Sequence, residues 1–281
     1  MKRKSLIGLL LVFVLVLGVF SACASSPDSS DDSDSGEAVT LIVGATPVPH
    51  AEILEQVVSD LEAEGYTLQI TEFTDYVLPN TALSDGDLAA NYFQHLPYLD
   101  QFNEENGTDL VGVASIHYEP LALYPGKSTS LDEVKEGTEI LVPNDATNEA
   151  RALLLLEANG LVVLKEGIGL EATVLDITEY PKGKLTITEI DAAQIAKSLQ
   201  DVDFAVINGN YALEAGLNAA TDALVKEEKD SLAAETFANY VVVRAGDKDK
   251  PEVQALVKAL QSEKIRAFIE ETYEGAVVPS F

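Results

Sequence analysis

Between residues 39 and 281 short apolar runs alternate with longer segments in which apolar residues recur every three or four positions. Thr40–Val43 (TLIV) predicts a strand, Ala51–Glu64 a helix with Ile53, Leu54, Val57, Val58 and Leu61 on one face, and Thr67–Phe73 a second strand. That order implies a right-handed, parallel βαβ unit. Further strands are predicted at Asp109–Ser115, His117–Tyr124, Thr173–Ile177, Leu185–Ile190, Asp203–Ile207 and Asn239–Arg244, with helices at Leu131–Glu136 and Ala192–Leu199. Pro251 suits the first turn of one last long helix, whose buried stripe is Val253, Leu256, Val257, Leu260, Phe268 and Ile269. The class is α/β. Pro125-Gly126 offers a domain break, and NYVVVR (239–244) is placed to return to the first set of strands. Two lobes follow, residues 39–122 with 241–281 and residues 123–240, joined by two crossing strands with a ligand cleft between them.

The segment EILVPNDATNEARALLLLEANG (139–160) reads as a buried strand, a Pro-Asn-Asp break and a helix capped by Thr147. Arg151 then falls in the first helical turn, where the positive end of the macrodipole disfavours a cation. A carboxylate or phosphate held by the guanidinium and the free N–H groups would resolve the conflict. The alternative is a side chain that reaches solvent or pairs with Glu149. Four of the eighteen basic residues are arginine, so one beside a leucine run draws notice. If Arg151 holds an anion, Arg151→Ala should weaken binding with little loss of fold.

The ends of the chain change the picture. Lys2-Arg3-Lys4, an apolar run from Leu6 to Phe20 and the small residues Ser21-Ala22 describe a secretory signal at 1–22, too short to span a bilayer comfortably. Cys23 is the single cysteine, so no internal disulfide can form. Its setting resembles the lipobox of bacterial lipoproteins, in which such a cysteine carries the lipid, palmitate included; Phe20 departs from the usual aliphatic residue. Residues 24–38, ASSPDSSDDSDSGEA, lack the apolar surface to offset chain entropy and predict a tether. Extended, it would reach about 50 Å. The formal charge of −29 disfavours nucleic acid and anionic lipid surfaces as partners.

A free amino acid needs partners for a carboxylate, an ammonium and a side chain. Arg151 could take the first. Asn208 and Asn239, at strand ends where the lobes meet, offer side-chain carbonyls for the second, although sequence alone favours a turn or cap role for each. Tyr76, Tyr92, Phe93, His95 and Tyr98 concentrate rings in a chain that is 7% aromatic. Alternation puts Phe93 and His95 on one face and Tyr92 on the other; such rings suit a thioether, or ordinary core. His50, His95 and His117 lie far apart and form no ligand motif, so no metal and no cofactor are expected. No nucleophile elbow, zinc-protease motif or phosphate loop is visible, so no enzymatic activity is expected.

Five stretches together resemble the NlpA-type methionine-binding lipoproteins, substrate-binding components of methionine ABC importers: VGATPVPHAEIL (43–54), DYVLPNTALSDGDLAANYFQHLPYLD (75–100), VPNDATNEARALLLLEANGL (142–161), FAVINGNYALEAGL (204–217) and NYVVVRAGDKDKP (239–251), with GAVVPSF at the end. The resemblance implies a two-lobed periplasmic-binding-protein-like fold that closes over methionine, L- or D-, and delivers it to a permease and ATPase from the outer face of the bacterial cytoplasmic membrane. It implies that Arg151 holds the ligand, that Asn148, Asn208 and Asn239 are its polar partners, and that Tyr76, Phe93, His95 and Tyr98 form the aromatic pocket. Members that take other small ligands, among them a methionine-containing dipeptide, keep the ligand open. The segment 192–204 departs from the family at Ala196-Lys197, where a Pro-Arg pair is usual, and is a candidate for contact with the ligand's far end.

Overall fold

The computed structural model describes residues 39–228 and 235–281. The secretory signal, Cys23 and the tether lie outside the described residues. Two sheets carry the fold. The first contains β1 (Val39–Ala45), β2 (Tyr66–Glu72), β3 (Ala90–His95), β4 (Leu110–Tyr118), β12 (Ala238–Arg244) and β13 (Val278–Pro279), in the order β13-β4-β12-β3-β1-β2. The second contains β5 (Ala122–Pro125), β6 (Glu139–Pro143), β9 (Thr186–Ile190), β10 (Phe204–Ile207) and β11 (Val225–Lys226), in the order β11-β5-β10-β6-β9. Between β6 and β9 in the chain, β7 (Val163–Leu164) and β8 (Ile177–Glu179) form a small hairpin.

β1 and β2 pair in parallel, as the strand-helix-strand pattern requires. The helix expected between them at Ala51–Glu64 follows a turn at Pro47–Ala51 and is interrupted at Gln56-Val57, which separates α1 (Glu52–Glu55) from α2 (Val58–Ala63). α3 (Leu78–Asp85) precedes β3, and α4 (Leu96–Asn106) follows it. In the second sheet α5 (Ala146–Ala158) follows β6, α6 (Ala192–Ser198) follows β9 and α7 (Gly209–Glu214) follows β10. The last helix expected from the sequence is two, α8 (Pro251–Leu260) and α9 (Glu263–Tyr273), because Ser262 caps a fresh start by accepting from the Ile265 N–H. Residues 174–176 form a single 3-10 turn where a strand was expected, and β8 starts only at Ile177. Leu131–Glu133 likewise forms one 3-10 turn.

The central strands of the second sheet, β5, β10 and β6, are buried on both faces, and strand alternation sorts their residues between two cores. Ile140, Val142, Phe204 and Val206 pack with Leu153 and Leu156 of α5. Leu141, Ala205 and Ile207 face the opposite way, onto Ile195 and Leu199. The first sheet is covered on one side by α8 and α9 through Leu256, Leu260, Ile265 and Ile269, and on the other by Leu83, Leu99 and Phe102.

The chain passes between the sheets twice, from Tyr118 to Ala122 and from Lys226 to Ala238, with residues 229–234 of the second passage outside the described set. Sheet membership therefore changes ahead of Pro125-Gly126, and the divisions expected after residues 122 and 240 fall one residue into β5 and three into β12.

Candidate ligand-binding cleft

Three strand-to-helix junctions meet between the sheets. β3 ends at His95, which caps α4 by accepting from the Tyr98 N–H. β6 runs into α5, and β10 ends one residue before Asn208, the N-cap of α7. Carboxyl ends of strands and amino ends of helices thus converge, the usual seat for a ligand in an open α/β sheet. Asn239 comes from the neighbouring strand, registered against His95 on β3 and His117 on β4, and β12 shifts register beside it.

The cap of α5 is Asp145, not Thr147. Its carboxylate accepts from the Asn148 N–H at 3.0 Å, from Asn148 Nδ2 at 2.8 Å and from the Thr147 hydroxyl at 3.1 Å. Counted from Ala146, Arg151 lies in the second turn, so the conflict with the helix dipole is weaker than the sequence suggested. The real counter-charge is distant in sequence. Glu227 takes Arg151 Nε at 2.8 Å and Nη2 at 2.6 Å, Nη2 also reaches the Glu119 carbonyl at 2.8 Å, and the guanidinium lies 4.3 Å from the Phe237 ring centre. Glu149, the expected alternative partner, instead accepts from the Val174 N–H. Burial is the largest single influence and opposes the charge on Arg151, but the Glu227 carboxylate and the Tyr118 side chain together outweigh it and hold the pKa above its ordinary value.

All eight residues singled out from the sequence line one cleft: the rings Tyr76, Phe93, His95 and Tyr98, and the polar set Asn148, Arg151, Asn208 and Asn239. Tyr76 stands 5.9 Å from Phe93 and 5.8 Å from Tyr98, centre to centre. Tyr92 faces away into the first core, as strand alternation requires. The Ala192–Phe204 segment contributes nothing to the lining; Lys197 is exposed on α6. Hydrogen bonds cross the cleft from Tyr76 to Asn210 Oδ1 at 2.5 Å and between His95 Nε2 and Asn148 Oδ1 at 3.2 Å.

The amides are held in a relay. Asp145 orients Asn148, whose Oδ1 accepts from Asn208 Nδ2 at 3.0 Å, and this leaves Asn208 Oδ1 with no donor among the described residues. Asn208 is 7% exposed, so its buried acceptor without a partner carries a desolvation cost that a bound donor would remove.

Four lining residues were missed: Gln94, Glu119, Gly209 and Asn210. Glu119 had a readable signal, an acid inside the apolar run HYEPLALY. Gly209 is required by contact, since a Cβ there would meet Glu119 Cβ and Oε2 at 2.6 Å. Sequence separation also misled for the histidines. His50 and His117 converge on Glu119 Oε1 at 3.4 and 2.7 Å, the one such group of possible metal donors among the described residues. Both ring nitrogens of each histidine are already engaged. Thr46 Oγ1 meets His50 Nδ1 at 2.7 Å, Tyr92 Oη meets His117 Nδ1, and His50 Nε2 also faces Asn239 Oδ1 at 3.2 Å. Burial lowers His50, His95 and His117 to about 3 and raises Glu119, so the imidazoles are neutral at pH 7.

A sequence profile described as NlpA lipoprotein matches residues 41–281. The chain belongs to the NlpA lipoprotein family. Among relatives of this NlpA chain, the methionine-binding lipoprotein MetQ of Bacillus subtilis is 38% identical, with 99% of each chain covered. The D-methionine-binding lipoprotein MetQ of Escherichia coli K12 is 43% identical over 85% of this chain and 86% of its own. A nutrient-binding protein from Burkholderia cenocepacia, solved bound to methionine, is 45% identical and superposes with a TM-score of 0.81 over 86% of this chain and 100% of its own. The NlpA chain thus has the two-lobed α/β fold of these binding proteins.

Proposed function

We propose that this protein is a lipid-anchored, extracytoplasmic substrate-binding protein that captures methionine in the cleft and delivers it to the permease and ATPase of an ABC importer. The carrying observation is the unpartnered Asn208 Oδ1, buried beside the Arg151 guanidinium and the ring cluster. In this reading Arg151 takes the ligand carboxylate through Nη1, the nitrogen with no acceptor among the described residues. Asn208 Oδ1 takes the ammonium, with the Glu119 carboxylate on the same wall. Asn148 fixes Asn208. Asn239, already facing His50, closes the polar end. Tyr76, Phe93, His95 and Tyr98 surround the thioether, and each sulfur–aromatic contact contributes about 0.3–1.5 kcal/mol. Relatives named for methionine and D-methionine support the ligand class.

Cys23 is the residue we assign to the lipid. That lipid would hold the protein at the outer face of the bacterial cytoplasmic membrane; among the described residues no helix is long and apolar enough to cross one. The test is calorimetry on the mature domain after unfolding and refolding to strip carried-over ligand. Heat with L- or D-methionine is expected, together with methionine in the mass spectrum of ligand released from freshly purified protein. No heat with either enantiomer would reject the ligand assignment.

A further inference from the structure

The Arg151 anchor is itself held by a residue outside the cleft lining, and that residue sits where the chain passes between the sheets. The Glu227 carboxylate collects four donors. Its Oε2 accepts from Arg151 Nη2 at 2.6 Å, from the Tyr118 hydroxyl at 2.7 Å and from the Leu121 N–H at 2.9 Å, while Oε1 accepts from Arg151 Nε at 2.8 Å. The Glu227 N–H returns a bond to the Leu121 carbonyl at 3.0 Å. Tyr118 ends β4 and Leu121 lies in the first passage; Glu227 follows β11 at the start of the second. Both passages and the anchoring arginine are therefore tied to one carboxylate.

We propose that Glu227 is the positioning residue of the anchor: it clasps the two inter-sheet passages to Arg151 and so fixes where Nη1 meets the ligand carboxylate. The inference rests on reading Arg151 as the carboxylate site. Its physical basis is the geometry of a guanidinium, whose planar fork is directed by any acceptor that engages Nε and Nη2 together. With those two nitrogens committed, Nη1 is immobilised before the ligand arrives, and the ordering cost does not fall on binding. A glutamine at 227 is neutral, offers one acceptor oxygen where glutamate has two and presents N–H donors to a donor, so it cannot give Nε and Nη2 an oxygen each.

The experiment measures L-methionine affinity by calorimetry for wild type, Glu227→Gln, Arg151→Gln and the double variant. Glu227→Gln is expected to weaken binding by about 30-fold on its own, yet by less than about threefold when Arg151 is already glutamine, since its effect passes through the arginine. Unchanged affinity in Glu227→Gln, or the same loss in both backgrounds, overturns the proposal. Amide exchange of Leu121 in the ligand-free protein gives a second readout, with faster exchange expected in Glu227→Gln and unchanged exchange overturning the clasp. If wild type bound no methionine, the functional reading would fail while amide exchange still decided whether Glu227 holds the passages.

Discussion

At Arg151, removing the side chain does two things. The ligand carboxylate loses its partner, and Glu227, 9% exposed, keeps Tyr118 and Leu121 as its donors among the described residues. Arg151→Ala should therefore cost stability as well as affinity, about 3–5 kcal/mol in urea unfolding, because breaking a buried pair from one side leaves the other charge uncompensated. This revises the expectation of little loss of fold, which followed from seeing the arginine without its partner. An unfolding midpoint equal to that of wild type would show that Glu227 tolerates isolation. Gly209→Ala tests the close approach of α7 to Glu119. The added methyl would have to displace the Glu119 side chain, so stability should fall by about 1–3 kcal/mol. Calorimetry should show weaker methionine binding in the same variant. That glycine and that glutamate were not singled out, since neither a helix-starting glycine nor one acid in an apolar run identifies its neighbour across a sheet.

The strand-to-helix units carry the polar relay. Asp145 both caps α5 and orients Asn148, so Asp145→Ala should lower stability by about 1 kcal/mol. It should also weaken ligand binding, because Asn148 loses the acceptor that sets its rotamer and passes the disorder to Asn208. Asp145→Asn keeps an acceptor oxygen and should retain most of both, which separates loss of the cap from loss of the side chain. The elements themselves were largely legible. Continuous apolar runs marked β6 and β10, and DYVLPN followed by NYFQH announced the stretch 75–100 that supplies all four rings. The errors fell at ends and breaks, with Thr147 for Asp145, one helix for α8 and α9, and a strand across 174–176. Caps and turns depend on one local hydrogen bond among several that a sequence allows, and periodicity does not choose between them.

For the whole molecule, the three buried imidazoles predict an acid sensitivity. Their pKa values are depressed to about 3 in the folded protein, so the unfolded chain takes up protons first as pH falls below the ordinary histidine value. Stability from this source is fully present above about pH 6.5 and declines toward pH 3, by about 1.4 kcal/mol per pH unit for each histidine. Glu119 has a raised pKa and works in the opposite sense, since its protonation is favoured by the fold and offsets part of the loss. The urea midpoint should be clearly lower at pH 5 than at pH 7; equal midpoints would contradict the neutral, buried state of the histidines. His117→Gln should reduce the slope between those two conditions.

Pattern along the chain was enough for the α/β class, a sheet with strands from both chain ends and the ring cluster, because strand and helix periods are local properties; the full set of eight side chains that meet in the cleft also needed the contiguous NlpA motifs, from which alone Asn148 came. The partners that govern those side chains came only with the folded chain. Glu227 lies 76 positions from Arg151, and His50 lies 189 from Asn239. Contacts of that separation are set by which strands pair and which passages run side by side, and a single chain read in order carries no signal for them.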